Sequence, residues 1–159
     1  MTSTDYERYV ASAANAMSNQ VISGSSMAHA NILVKNLLKI ARQDICIISN
    51  RLDGSFWKYL SANIDDALAR GCSIRILCLR QIDHSAIADL AGMGCEKLQV
   101  REYSGEDYLN NFMVVDRCSY RFEPNGERLN AVCNFNDPHL VSIFKDQFES
   151  LWARGRVAE

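Results

Sequence analysis

Proline and glycine are scarce in this 159-residue chain, which has two prolines and eight glycines. Neither is concentrated in one stretch, and no repeat or low-complexity segment interrupts the sequence. A long flexible linker between two domains is therefore excluded, and the length suits a single domain with a sizeable core. We expect one domain overall, in which residues 1–24 form an additional N-terminal helix and residues 25–159 form the main body.

Long apolar runs and an excess of positive charge are also absent. No stretch reaches the roughly 18 apolar residues of a transmembrane helix, so we expect no membrane span. The formal net charge is -2, so nucleic-acid binding would need a local basic patch and is left open. Residues 1–15 lack a basic segment before an apolar stretch, which predicts no secretory signal and a cytoplasmic location.

Clustered metal ligands are missing as well. The six cysteines form no CxxC pair, and the three histidines are scattered at His29, His84 and His139. Structural zinc sites need cysteine and histidine at short ligand spacings, so we expect no metal, and nothing indicates another cofactor. Most cysteines lie inside apolar runs, which is typical of buried free thiols in a reducing compartment.

Hydrophobic periodicity alternates between helical and strand spacing along the chain. Helical spacing predicts helices over 5–21, 27–42, 56–70 and 85–91, with Gly71 at a C-terminal cap. Asp137 caps a last helix that should bury Leu140, Ile143, Phe144, Phe148, Leu151 and Trp152. Strands are predicted over 45–49, 73–79, 97–103 and 112–115, followed by a hairpin of 120–123 and 129–135. This order predicts an α/β sandwich in which helices flank a mixed central sheet.

Several segments in the second half carry a family resemblance. An apolar strand over 111–116 ends in aspartate, a segment over 131–135 contains Asn134, and the last helix ends Phe148-Glu-Ser-Leu151-Trp152. In this order and spacing they resemble the phospholipase D superfamily, whose HxKxxxxD strand is followed by a GSxNF-like segment. The resemblance covers residues 27–153 and implies a phospholipase D-like sandwich.

The residues that the family's reaction needs are missing from the motif. Asp116 matches the family aspartate, but Leu109 and Asn111 fall at the positions of the histidine and the lysine. Members of the family cleave phosphodiesters through a covalent phosphohistidine, and lysines and asparagines neutralise the charge on the phosphoryl oxygens. Leucine has no lone pair that could attack phosphorus. The sequence therefore predicts no catalytic residue here and argues against enzymatic activity.

Other polar residues around the motif are candidates for a binding site. The candidates are Asn111, Asp116, Asn134, Arg80 and Arg101. The asparagines could hold a phosphate or a nucleotide, and the arginines, with Arg51, could meet at one rim of the sheet as an anion site. The alternative is that Asn111, Asn134 and Asp116 satisfy backbone groups, and that the arginines are solvated or paired with nearby acids.

These observations predict a catalytically inactive module that acts by binding, as a regulatory, sensor or accessory subunit. Family members with one motif per chain pair as homodimers, so the resemblance implies a homodimer or another protein partner. One alternative is a divergent phosphodiesterase or nuclease with a relocated nucleophile, His84 or Cys118. Another is a subunit of a bacterial defence or toxin-like assembly. The apolar stripe of the N-terminal helix would pack on its own domain or on a partner.

Overall fold

The computed structural model describes residues 1–52, 54–82, 85, 88–89, 96–105, 110–124 and 130–158, with the backbone alone for 51–52, 54–56 and 80–82. The helices are α1 (Ser3–Asn15), α2 (Met27–Ile40), α3 (Gly54–Tyr59), α4 (Ser61–Ala69) and α5 (Pro138–Arg154). The strands are β1 (Ile22–Gly24), β2 (Asp44–Leu52), β3 (Ser73–Ile82), β4 (Leu98–Glu102), β5 (Asn111–Val115), β6 (Ser119–Glu123), β7 (Ala131–Asn134) and β8 (Arg156–Val157). The predicted helix over 85–91 lies largely outside the described residues.

These strands form one mixed sheet in the order β1-β7-β6-β5-β2-β3-β4-β8. β2, β3 and β4 run parallel to one another, and every other pairing is antiparallel. The central strands β2 and β3 are rich in isoleucine and leucine because helices cover both faces of the sheet. The predicted α/β fold with a mixed central sheet is confirmed.

Two apolar layers hold the helices against the sheet. Ile45 and Ile47 of β2 pack in the core beneath α1, α2 and α4, whereas Cys46 and Ile48 face α5. This alternation follows from the two-residue period of a strand, which sends successive side chains to opposite faces. The central sheet therefore contributes to the packing of both layers.

Helix α5 begins as the sequence predicts. The side chain of Asp137 accepts a hydrogen bond from the backbone N–H of Leu140 at 3.1 Å, and Pro138 occupies the first turn. The buried residues are Val141, Phe144, Phe148, Leu151 and Trp152. The prediction that Ile143 is buried was wrong, since its side chain is 42% exposed. Each helical residue turns by roughly 100°, which carries Ile143 off the stripe that contains Phe144 and Phe148.

The N-terminal helix is shorter than the sequence pattern predicts. Helical spacing continues to Val21, but α1 ends at Asn15. Ile22–Gly24 instead pairs with β7 at the edge of the sheet, where its backbone groups gain partners. The predicted helix over 56–70 is likewise divided into α3 and α4 at Leu60. Both errors concern where helices end, a choice that contacts distant in sequence decide here.

The inner face of α1 packs on its own domain. The Tyr6 ring stacks on His29 of α2 with 3.8 Å between ring centroids, and the Tyr6 hydroxyl donates to the carbonyl of Ser23 at 2.9 Å. The apolar stripe predicted for this helix also includes Tyr9 and Met17, and both remain 40% exposed. Tyr6 therefore belongs to the core, whereas Tyr9 and Met17 leave apolar side chains at the surface.

Local chain geometry confirms the cap predicted at Gly71. The residue follows α4 and has a φ of 92°, in the left-handed region that glycine adopts without a Cβ clash.

The sequence predicts that most cysteines are buried thiols, and the structure agrees with this prediction. Cys46, Cys72, Cys78 and Cys133 are buried thiols that form no disulfide bond with one another.

Candidate functional site

A cleft lies on the α2 face of the sheet, at the end where β5 begins. Together with the open solvent at its mouth, the space within the cleft is about 540 Å³. Its walls are largely apolar and include Met27, Val34, Trp57 and Met113. Its floor carries the polar side chains of Asn111, Arg121 and Glu123. The cleft is therefore lined by Asn111, the residue that the sequence analysis aligns with the family lysine.

Asn111 is held by hydrogen bonds on both sides of its carboxamide. Its Oδ1 accepts from the backbone N–H of Asn50 at 2.8 Å, and its Nδ2 donates to Oε2 of Glu123 at 3.0 Å. Asn111 and Glu123 are direct cross-strand partners of β5 and β6, so their side chains leave the sheet on the same face. The residue is only 7% exposed, and its carboxamide is held in one orientation.

Arg121 and Glu123 form an ion pair on the floor of the cleft. They lie two residues apart on β6, a spacing that places both side chains on one face. The side chains are 9% and 8% exposed, so the pair is buried. Sequence analysis missed both residues, although the Ser-Tyr-Arg-Phe-Glu alternation places two charges on the face opposite Tyr120 and Phe122.

Asp116 performs a structural role at the other end of β5. Its carboxylate accepts hydrogen bonds from the backbone N–H groups of Arg42 at 3.0 Å, Gln43 at 2.8 Å and Asp44 at 3.1 Å. Its own backbone has a φ of 54°, in the left-handed region. The residue thus fastens the chain that enters β2 to the end of β5, in agreement with the backbone interpretation of its role.

Asn134 also binds backbone groups. Its Nδ2 donates to the carbonyl of Asn19 at 3.1 Å, and its Oδ1 accepts from the N–H of Asn136 at 2.9 Å. It pairs with Tyr120, whose side chain packs in the α5 layer. Asn134 therefore belongs to the end of β6 that is distant from Glu123.

The structure does not bring Asn111, Asp116 and Asn134 together. β5 and β7 both run antiparallel to β6, and Asn111 begins β5 whereas Asn134 ends β7. The predicted pocket between Asn111 and Asn134 is therefore not formed. Ligand binding by Asn111 stays a prediction, now for the cleft that it lines.

Arg101 does not contribute to an arginine rim. Its guanidinium lies 4.4 Å from the centroid of the Trp152 ring, and its Nη1 donates to the Trp152 carbonyl at 2.8 Å. These contacts direct the side chain toward α5, on the face opposite the cleft. The side chains of Arg51 and Arg80 lie outside the described residues. The anion site predicted from the three arginines thus lacks Arg101.

The two alternative nucleophiles named by the sequence analysis are Cys118 and His84. Cys118 lies in the turn after Asp116, at the far end of β5 from the cleft. His84, like Leu109, lies outside the described residues. His29 stacks on Tyr6, and neither His29 nor His139 lines the cleft. Among the described side chains, therefore, no histidine borders the Asn111 position.

In the described part of the chain, no group of three or more His, Cys, Asp or Glu side chains is placed to hold a metal ion. No helix within the described ranges is long and apolar enough to cross a membrane.

Solved structures with a phospholipase D-like fold resemble this chain. Nuc from Salmonella typhimurium, a phospholipase D family member, has a TM-score of 0.66 at 20% identity, with 88% of this chain and 98% of that chain covered. NucT from Helicobacter pylori has a TM-score of 0.64 at 11% identity, with 87% and 99% covered. TrmBL2, an archaeal chromatin protein that binds DNA, has a TM-score of 0.62 at 20% identity.

The match to TrmBL2 covers 98% of this chain but 62% of the chromatin protein, so this chain spans less than two thirds of that relative. At these identities the similarities show the fold alone, and they confirm the predicted phospholipase D-like fold. A comparison with curated protein sequences found no match. The model of DUF7931, a domain of unknown function, matches residues 26–159, which is most of the chain. The chain therefore belongs to the DUF7931 family and has a phospholipase D-like fold.

Proposed function

We propose that this chain is a catalytically inactive phospholipase D-like module that acts by binding in the cleft, as a regulatory, sensor or accessory subunit. The proposal depends on one observation, the two hydrogen bonds that hold the Asn111 carboxamide at the predicted lysine position. Asn50 and Glu123 hold its carboxamide on both sides. An uncharged amide in this arrangement does not supply the positive charge that a developing phosphoryl oxyanion requires.

The neighbouring charges support the same conclusion. Arg121 is the cation among the described residues that line the cleft, and Glu123 neutralises it. The Glu123 carboxylate would also repel the anionic oxygens of a phosphodiester. Both the nucleophile of the motif and the electrostatic stabilisation of its transition state are therefore lost.

We expect no turnover of bis(4-nitrophenyl) phosphate by this chain, because Leu109 stands in place of the attacking histidine and the uncharged Asn111 stands in place of the lysine. The release of nitrophenolate measures the reaction, with a phospholipase D-family nuclease as the positive control. The Asn111→Ala variant should give the same background rate as the unchanged chain.

Turnover that is lost in Asn111→Ala would contradict the proposal, since the cleft would then be catalytic. Turnover that survives in that variant but is lost in His84→Ala or Cys118→Ala would support the alternative of a relocated nucleophile. These outcomes distinguish an inactive cleft from a divergent phosphodiesterase.

The proposal includes a protein partner, which we expect to be a second copy of the chain. Met27, at the wall of the cleft, is 40% exposed, and burial of such apolar surface favours association. Light scattering after size-exclusion chromatography should give twice the monomer mass. A monomer at micromolar concentration would contradict the homodimer and would favour another chain as partner, as in a defence or toxin-like assembly.

A further inference from the structure

We propose that the end of the sheet opposite the cleft binds the phosphate backbone of a nucleic-acid duplex, without reading its bases, through a row of four cations. The row consists of Arg117, Arg42, Arg70 and Lys97. It lies where β5 ends and where β2, β3 and β4 begin, whereas the cleft lies where β5 begins. The inference therefore goes beyond the binding proposed for the cleft and does not depend on it.

The topology of the sheet arranges these cations in a line. β5, β2, β3 and β4 are neighbours in that order. Arg117 follows β5, and Arg42 precedes β2. Arg70 precedes β3, and Lys97 precedes β4. Because β2 runs parallel to β3 and β4 but antiparallel to β5, all four positions lie at one end of the sheet. Adjacent strands are about 4.8 Å apart, so the row is about 15 Å long.

The two central arginines are held in place by the end of α2. Arg42 Nη1 donates to the carbonyl of Ala41 at 3.1 Å, and Arg70 Nε donates to the same oxygen at 3.3 Å. The Nη2 group of Arg70 also donates to the Leu38 carbonyl. Within the described part of the chain, Nη2 of Arg42 and Nη1 of Arg70 make no hydrogen bond. Two fixed guanidiniums therefore lie close together and retain N–H donors for an anion.

The outer cations extend this pair on both sides. Lys97 Nζ donates to the carbonyl of Gly71 at 2.9 Å, which places its charge next to the turn that contains Arg70. Arg117 makes no hydrogen bond or ion pair with the described residues. All four side chains belong to exposed residues, so an external partner can reach each of them.

The acids near the row do not cancel its charge. The Asp116 carboxylate accepts from three backbone N–H groups, and Asp44 is paired with Lys145 of α5 at 3.1 Å. Glu96, next to Lys97, is exposed and forms no ion pair within the described ranges. Even when Asp116 and Glu96 are counted against the four cations, positive charge remains in excess. The formal net charge of the chain is -2, so this excess is local.

The shape of the row favours a duplex over other polyanions. Each strand of duplex DNA carries one phosphate about every 3.4 Å along the axis, so a row of about 15 Å faces about four phosphates. Guanidinium groups donate in pairs to phosphate oxygens. The segments 41–43, 70–72, 96–97 and 116–118 contain no aromatic residue on which an unpaired base could stack. They also contain no exposed large apolar side chain that would enter a lipid surface.

Fluorescence anisotropy with a labelled DNA duplex of about 20 base pairs tests the inference on the unmodified chain. Saturable binding is expected in about 50 mM NaCl. The logarithm of the binding constant should fall linearly with the logarithm of the salt concentration, with a slope of about -3 to -4 for four phosphate contacts. Duplexes of unrelated sequence should bind equally, because backbone contacts carry no sequence information.

Two double variants with the same net charge locate the surface. Lys97→Gln/Arg117→Gln should reduce the slope to about -2 and weaken binding about tenfold or more in about 50 mM NaCl, because two phosphate contacts are lost. Arg8→Gln/Lys58→Gln removes two exposed cations outside the row and should leave both quantities unchanged. Circular dichroism should show the same fold for both variants, since all four substituted residues are exposed.

Absence of duplex binding in about 50 mM NaCl, or equal weakening by the two double variants, would overturn the inference. Tighter binding of a single strand of the same length would contradict the duplex. Binding to phosphatidylserine vesicles without binding to the duplex would assign the row to a membrane surface instead. Release of the duplex by inorganic phosphate, beyond that caused by NaCl of equal ionic strength, would assign it to a free anion. None of these measurements depends on nitrophenolate release or on the cleft.

Discussion

The Asp116→Ala variant should lose about 3 kcal/mol of its free energy of unfolding. Three backbone N–H groups, of Arg42, Gln43 and Asp44, would lose their shared carboxylate acceptor. Hydrogen bonds to a charged group contribute about 1.5–3 kcal/mol each but do not add fully. Alanine is also disfavoured at a φ of 54°, which Asp and Asn tolerate. Urea denaturation followed by circular dichroism measures the loss.

Two substitutions separate the causes of this destabilisation. Asp116→Asn retains a carbonyl oxygen and the tolerance for a positive φ, so it should lose less than the alanine variant. Asp146→Ala removes an exposed carboxylate from α5 and should change stability by less than about 0.5 kcal/mol. A loss below about 1 kcal/mol in Asp116→Ala would show that the aspartate does not fasten β2 to β5.

Removing either member of the Arg121–Glu123 pair should destabilise the fold by about 3–5 kcal/mol. Both side chains are less than a tenth exposed, so each single substitution removes the opposite charge beside a buried charge. The double variant Arg121→Met/Glu123→Leu should lose much less than the sum of the two single variants, since neither buried charge remains. A double-mutant cycle from urea denaturation gives the coupling energy, which we expect to exceed about 2 kcal/mol.

A second ion pair on the same protein provides the matched comparison. Arg75 and Glu149 are 26% and 56% exposed, so solvent screens their interaction. Glu149→Ala should therefore cost at most about 1 kcal/mol. Equal losses at the two pairs, or single-variant losses at Arg121 and Glu123 that simply add, would contradict the burial argument.

The secondary structure was predictable where its cause is local. β2 and β3 follow from β-branched runs, and the start of α5 follows from Asp137 and Pro138, because caps and burial patterns act over a few residues. The end of α1 was not predictable in this way. Helical spacing continues to Val21, and the backbone of the following residues turns to β7 only because that strand, more than a hundred residues later, offers a free edge.

The candidate site, too, was predictable only where its features depend on residues close together in the sequence. The sequence predicts that Leu109 and Asn111 stand at the positions of the family histidine and lysine, since both can be counted back from Asp116. The hydrogen bonds of Asn111 could not be predicted from the sequence. Glu123 reaches Asn111 because β5 and β6 pair in one particular register, and that register also places Asn134 at the opposite end.

By itself, the sequence determined the α/β fold class and predicted leucine and asparagine at the positions of the motif's histidine and lysine, because each depends on residue type and local spacing. The tertiary structure alone decided that Arg121 and Glu123 are buried and paired beneath α2, and that Asp116 and Asn134 serve the backbone. The physical reason is that burial and charge pairing depend on which strands lie side by side. Strand pairing in turn depends on contacts between residues far apart in the chain.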